Sequence, residues 1–491
     1  MSLPVVKTAS ERTPLLGSDP TPPDAEALKQ TKAVTPLPKK QLFVLCFMRF
    51  SEPVCYQVIF PFINEMLIFH GISNPGYSSG LIEGIFAFAQ LCTVYYWGSL
   101  SDRIGRRPVL LYGLAGVAFF TSCFGLSLNF PMIVAFRFLS GASNGNAAVL
   151  KSAIAEVTDE TNRARAFTLL PTSWAIGSII APAIGGFLSR PAAQLPGLFG
   201  SSTLFIKFPY LLPCLAASCI ALLGWLVGFI YLEESLGGAE AKKIHSRPVN
   251  SSASTTTTDE DQAPPPRMSL REIIADPIIR SVLVTYMLMA MVTVSLDALM
   301  PLWLYMGIDK GGLGFSTSEI GVILSSVGIL ATFVNLVVFP PLQRRIGTVS
   351  VYRSCMFMIF FLVLLFPTVG RIAILEQHNR GSPSGPGLFT KLGVGFMVMV
   401  KAMYGMVFTC NMILVNQSAP SKTTLGAVNG VAQMVASMMR SVAPTVATIL
   451  FALSTDEKYH LLGGQFIWVY LVVVSICAVG ASLQVREGRP D

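Results

Sequence analysis

The chain has 491 residues, 52% of them hydrophobic and only 13% charged, with a formal net charge of +8. A soluble globular chain carries about 25% charged residues. Half that share, with apolar runs of about 20 residues recurring along the length, excludes an ordinary soluble domain and predicts an all-α polytopic membrane protein. The basic residues are scattered at helix ends without aromatic interleaving, so the positive balance reads as a topology signal and not as a nucleic-acid surface.

Residues 1–40 are polar and proline-rich and carry no secretory signal pattern, which predicts a disordered cytosolic tail. Within it, Glu11-Arg-Thr-Pro-Leu15-Leu16 resembles an acidic dileucine sorting signal, E-x-x-x-L-L. A sorting adaptor bound there would direct the protein to a vacuolar or endosomal membrane; without it the plasma membrane is the destination. Twelve spans follow, near 41–66, 78–98, 107–127, 131–153, 166–188, 208–231, 279–304, 319–340, 352–371, 391–416, 425–452 and 462–484. Each crosses about 30 Å of hydrocarbon at 1.5 Å per residue. Pro53, Pro61, Pro182, Pro301 and Pro444 inside them mark kinks.

An even number of spans puts both termini on one side. The short loops there hold Arg103, Arg106, Arg107, Arg163, Arg165, Arg344, Arg345, Arg353 and Lys422, whereas the first two opposite loops hold none, so that side is expected to be cytosolic. The hydrophilic stretch 233–271, containing SSASTTTTDEDQAPPP, predicts a disordered cytosolic linker; the Asn250-Ser-Ser sequon within it would go unused there. It separates an N-terminal six-helix bundle (41–232) from a C-terminal one (272–485), followed by a short cytosolic tail, 486–491. The halves resemble each other: LSDRIG (Leu100–Gly105) aligns with LQRRIG (Leu342–Gly347), and APAIGG (Ala181–Gly186) with APTVAT (Ala443–Thr448). Parallel repeats of this kind rock about a site between them.

The stretch WGSLSDRIGRRPVLLYG (Trp97–Gly113) concentrates four charges and several glycines in the turn between the second and third spans. Gly98 and Gly105 suit tight turning and close helix approach. Asp102, at the cytosolic end of the second span, needs a nearby arginine or the positive N-terminus of a helix. A contact made only when the cytosolic mouth is shut would make this carboxylate a gate.

G-x-L-x-D-R-x-G-R-R, here Gly98, Asp102, Arg103, Gly105, Arg106 and Arg107, resembles the signature of the major facilitator superfamily of secondary transporters, and the likeness runs from about Gln41 to Gln484. The resemblance implies two pseudo-symmetric six-helix bundles and an Asp102 that locks the closed cytosolic gate against helix eleven. Arg137-Phe-Leu-Ser-Gly141 matches the R-x-x-x-G motif, whose arginine is linked to proton coupling. Gly177-x-x-x-Ala181-Pro182-x-x-Gly185-Gly186 is similar to the antiporter motif of drug:proton exporters with twelve helices, departing from it at Ala181 and at Thr168, where glycines are usual. Ser173–Ala192 and Leu204–Ala217 resemble the zinc-induced-facilitator-like branch and its fungal relatives. That implies export of organic ions, metal chelators or small metabolites.

Ionisable residues in lipid are costly and by default face the interior. These are Arg49, Glu52, Glu83, Arg137, Asp297, Lys401 and Arg440. Counting along the helices puts Glu52, Lys401 and Arg440 nearest the midplane. Glu52 or Glu83 is expected to carry the proton, with Arg137 tuning it; static helix-holding ion pairs are the alternative. Arg49, Glu52, Trp174, Asp297, Lys401 and Arg440 are the candidate cavity residues, and Tyr56, Phe408 and Trp303 are further aromatic candidates.

Nine cysteines without CxxC spacing and four peripheral histidines give no metal site, and no cofactor motif, P-loop or Ser/His/Asp set is present. The expectation is a monomeric secondary transporter, not an enzyme, that exports a small organic molecule against a proton gradient. Its partners would be that substrate, protons and membrane lipid, and not nucleic acid. A proton symporter or facilitator for uptake, and a non-transporting sensor of the same fold, are the alternatives.

Overall fold

The computed structural model describes residues 35–159, 161–235, 270–380, 385–420, 424–456 and 461–485. The dileucine at Glu11-Leu15-Leu16, the sequon at Asn250, Lys422, the tail 486–491 and most of the expected N-terminal tail and linker lie outside these residues. Among the described residues every regular element is helical. In a bilayer the helix satisfies its own backbone, which is why an apolar chain of this length folds this way.

The N-terminal half comprises α1 (Lys39–Gln57), α2 (Ile63–Phe69), α3 (Gly76–Ile104), α4 (Arg106–Gly125), α5 (Phe130–Ser143), α6 (Asn146–Val157), α7 (Arg163–Leu188) and α8 (Leu211–Tyr231). Short helical turns fill the loop between α7 and α8. The C-terminal half comprises α9 (Pro277–Tyr305), α10 (Thr317–Phe333), α11 (Phe339–Ile346), α12 (Thr348–Arg380), α13 (Leu388–Tyr404), α14 (Met406–Ser418), α15 (Leu425–Thr455) and α16 (Phe466–Gln484). Among the described residues nine helical runs are long and apolar enough to cross a membrane. The other three expected spans, the first, second and fourth, are helical but broken or richer in polar residues, so the whole is consistent with twelve.

Local chemistry fixes several boundaries. Asn129 caps α5 by accepting from the Met132 amide at 3.0 Å, and Asp276 caps α9 through the Ile278 amide at 2.9 Å. Ser316 and Glu319 form a capping box at α10. The two related hexapeptides end their helices alike: Gly105 after α3 has φ +105° and Gly347 after α11 has φ +81°. Only glycine enters that region without strain, which is why both copies keep it.

Each half has its own apolar core, one drawn from Leu42 through Leu232 and the other from Ile273 through Val485. The nine cysteines are all free, and four of them are fully buried. Trp303 is not a cavity residue: it is buried in the C-terminal core against Phe366 and Trp468.

The halves meet chiefly where α3 packs on α15 and α7 on α10. Both contacts lie on the side away from the ends of the described chain, the far side. There a side chain added at Gly80 or Gly84 would strike the backbone of Pro444 or Ser441, and Gly186 abuts Gly321. Toward the other, terminal side, the same face of α3 continues through Tyr95 and Gly98 by the 3.6-residue repeat. Tyr95 is 78% exposed, and Gly98 and Gly430 have open space around them. The interface is therefore a cleft, shut at the far side and open at the terminal side.

Candidate functional site

Three of the spans are interrupted. The fourth span breaks at Asn144 and Gly145 between α5 and α6, the first between α1 and α2, and the tenth at Gly405 between α13 and α14. A break in lipid frees carbonyls that need donors. In the fourth span Gln90 donates to the Asn144 carbonyl at 3.0 Å and Trp97 to the Ala142 carbonyl at 2.7 Å. The Trp97 ring lies directly on Gly145, leaving no room for a Cβ. The second span thus repairs the broken fourth, and frees the Asn144 side chain to donate to Glu52 at 3.2 Å.

Of the charges predicted from sequence, Arg49 and Glu52 sit at this break. Arg49 and Glu52 form an ion pair one turn apart on α1, and the Arg49 guanidinium stacks over Trp174 at 4.6 Å. Arg137 is buried and donates to the Tyr56 carbonyl at 2.9 Å. Its guanidinium lies 4.4 Å from the Phe86 ring centre and 5.1 Å from that of Tyr56. Glu83 is buried as well, with Arg137 and Asp297 as its charged neighbours. Across the cleft, Lys401 on α13 donates to Asp297 on α9 at 2.6 Å. Arg440 donates to Ser437 at 3.2 Å, and its Nε is buried without a partner.

Depth orders these groups. Glu83 and Arg137 lie about 10 Å in from the far ends of α3 and α5, at 1.5 Å per residue. Arg49, Glu52 and Arg440 sit nearer the middle of their spans. Sequence reading missed Lys151 on α6. Solvent reaches its side chain, yet protein surrounds it, and Arg49, Glu52 and Arg440 are its charged neighbours. The signal was a lysine within NAAVLKSAIAEV, easily read as a helix-end residue.

The loop residues are arranged differently from the cleft. Asp102 is 63% exposed in its side chain and, among the described residues, pairs with Arg106 at 2.6 Å and not with the eleventh span, α15. Arg106 also holds Glu156 at 2.8 Å and donates to Ser101. The positive N-terminus of α4 is taken by Glu234, whose carboxylate accepts from the Arg106 and Arg107 amides at 2.8 and 3.1 Å. Arg107 reaches the Phe229 carbonyl, and Arg103 lies in the last turn of α3. Gly177 and Gly185 lie against span one, at Pro53 and Val58, while Gly186 and the Pro182 carbonyl meet Gly321. The Gly177–Gly186 motif is a packing surface shared by three spans. Phe408 is half-exposed on α14.

Among the described residues, the following hydrogen bonds cross between the halves, and they lie toward the shut end. Thr317 donates to Glu65 at 2.7 Å while Arg190 holds the other Glu65 oxygen at 2.9 Å. Tyr77 donates to Asp456, Thr445 to the Gly80 carbonyl and Ser325 to the Ile179 carbonyl. The Glu65 hydrogen bond and charge hold the Arg190 pKa above its ordinary value.

The profile of the Major Facilitator Superfamily matches residues 45–444. Among curated proteins, the major facilitator-type transporter psiT2 of Psilocybe cyanescens is 32% identical, over 94% of this chain and 93% of its own. The efflux pump azaK of Aspergillus niger is 28% identical, over 94% and 92%. The protein zinc induced facilitator-like 1 of Arabidopsis thaliana is also 28% identical, over 88% and 89%. In fold the chain is similar to a bacterial homologue of the human lysosomal transporter Spinster in an inward-facing, occupied conformation. That match has a TM-score of 0.65 at 14% identity, over 92% of this chain and 97% of the other.

Proposed function

The chain belongs to the major facilitator superfamily of transporters, and on that premise we propose that it exports a small organic molecule in exchange for protons by alternating access. The observation that carries this reading is the cleft itself. Charged side chains from both halves converge in a groove shut at one end and open at the other. Solvent excluded at one mouth and admitted at the other is what a carrier needs to move solute without leaking. The efflux-pump relative and the antiporter-like motif at Gly177, Pro182, Gly185 and Gly186 support the outward direction.

Bundles 41–232 and 272–485 rock as units, joined by the 233–271 linker. Both termini face the cytosol in this reading, so the terminal side is cytosolic and the structure is inward-facing. Glu83 is the proton site, seated beside Arg137 at the shut end, with Glu52 as the second candidate. A neutral Glu83 no longer attracts Arg137, so loading and release follow what the cleft admits. When the cytosolic mouth closes, the segment carrying Gly98, Asp102, Arg103, Gly105, Arg106 and Arg107, at the junction of α3 and α4, closes on the eleventh span, α15, and Asp102 trades Arg106 for a contact there. The carrier works as a monomer in a vacuolar, endosomal or plasma membrane.

The test is reconstitution into liposomes containing a pH-sensitive dye. Export by exchange predicts that substrate driven one way discharges an imposed proton gradient the other way, and that Glu83→Gln or Glu52→Gln uncouples the two. If both variants keep proton-driven transport, the proton assignment is wrong. Uptake by symport, the alternative that the Ala181-Pro182 departure admits, would instead move substrate and protons in the same direction.

A further inference from the structure

Every acid in the cleft has a cation beside it. Glu52 is held by Arg49, Asp297 by Lys401, and Glu83 has Arg137 as a charged neighbour. Among the described residues two cations are left over, Lys151 on α6 and Arg440 on α15. Among the described residues neither has a carboxylate within ion-pair distance. Lys151 meets solvent, and Arg440 spends one nitrogen on Ser437 and leaves Nε buried and unpartnered. The two stand on opposite halves, within electrostatic reach of each other, with Arg49 and its partner Glu52 beside Lys151.

We propose that Lys151 and Arg440 together bind the anionic group of the substrate, a carboxylate or phosphate on an organic molecule, and that this anion bridges the two halves. Like charges facing across a closing gap repel, and the repulsion grows as water leaves. An anion between them reverses the sign, because each cation then gains a charge-assisted hydrogen bond to it. The empty cleft resists shutting at the terminal side while the loaded cleft favours it, which suppresses empty cycling. A buried guanidinium nitrogen without a partner is costly, and a second oxygen of the same anion satisfies it. Arg440 suits a two-oxygen contact and Lys151 a point contact. The inference rests on the cleft being the transport site, as proposed above, and names the class of substrate it takes.

The experiment is calorimetric titration of the full chain in lipid nanodiscs with four probes of similar size: benzoate, phenyl phosphate, neutral benzyl alcohol and cationic benzylamine. Wild type should bind the two anions at least about tenfold more tightly than the alcohol, as expected for one charge-assisted contact. Lys151→Gln and Arg440→Gln should each abolish that preference and leave the alcohol's binding unchanged. Lys151→Arg, which keeps the charge, should retain it and so serves as the folding control. The relative strength of the two anions says whether carboxylate or phosphate fits better. Equal binding of all four probes by wild type, or anion preference surviving both glutamine variants, overturns the proposal. Proton-driven transport of a neutral compound by those variants would leave the exporter reading standing alone. Anion binding without any response to a proton gradient would leave the anion site standing and remove proton coupling.

Discussion

The two ends of the interface between α3 and α15 are built from one helical face yet do opposite things. At the far end Gly80 and Gly84 let α3 approach within backbone contact of Pro444 and Ser441. At the terminal end the same face reaches Gly98, where there is open space, and the opposing helix shows Met434 at 59% exposure. Close approach of small residues gives dispersion contacts and weak hydrogen bonds that lipid cannot replace. A side chain added at Gly98 would meet nothing in this conformation, so close packing does not account for the glycine. Its place on the stripe fits the proposed alternating access, in which the terminal end also closes.

Filling one end should break the symmetry of that comparison most strongly. Gly80→Val puts a side chain into the Pro444 backbone; overpacking costs about 1–3 kcal/mol, a shift of about 5- to 150-fold between states. Transport should collapse while the protein still reaches the membrane, and single-molecule distances across the far mouth should lengthen. Gly98→Val is the mirror experiment. The described conformation accommodates it, so thermal stability in detergent should hold, but turnover should drop by several-fold because the terminal mouth no longer seals. Unchanged turnover would mean that Gly98, which lies within α3 and not in the expected turn, takes no part in sealing the terminal mouth.

A polar contact should matter less. Glu65→Gln keeps an acceptor for Thr317 and loses the charge opposite Arg190, which is half-exposed. Screened pairs of this kind contribute no more than about 1 kcal/mol. The population open at the far mouth should therefore rise by no more than about fivefold, as read by the same distance measurement. The smallest effect is expected at Asp159, in the turn before α7. Hydrogen bonds from Thr161 and Thr35 pull its carboxyl from 3.8 down to about 2. A lowered folded pKa means the contact is present at neutral pH and lost as pH falls from about 3.8 through about 2. Protease cleavage near Thr35 should increase over that window in wild type, whereas Asp159→Asn should be cleaved at all pH values and transport normally at neutral pH.

Part of this molecule was legible because it depends only on neighbours along the chain. Hydropathy over 20 residues located the spans, the paired hexapeptides predicted the matching turns at Gly105 and Gly347, and charges inside apolar runs marked Glu52, Arg137 and Lys401. Lys151 escaped because a lysine six residues from a helix end reads equally as snorkelling. The Arg106 pairing of Asp102 was within reach, being four residues away on adjoining helices.

What only the tertiary structure decided is which charges meet and which mouth is shut. Asp297 finds Lys401 more than a hundred positions later in the chain, and Glu52 finds Asn144 through a break in another helix. Each residue turns a helix by about 100 degrees, so partners across a cleft depend on how whole rods are rotated and packed, which local sequence does not encode. Small residues recur at both ends, Gly80 and Gly84 at the shut end and Gly98 and Gly430 at the open one, where Tyr95 and Met434 also stand. The composition of the interface therefore permits either end to close, and only the relative placement of the halves says which one has.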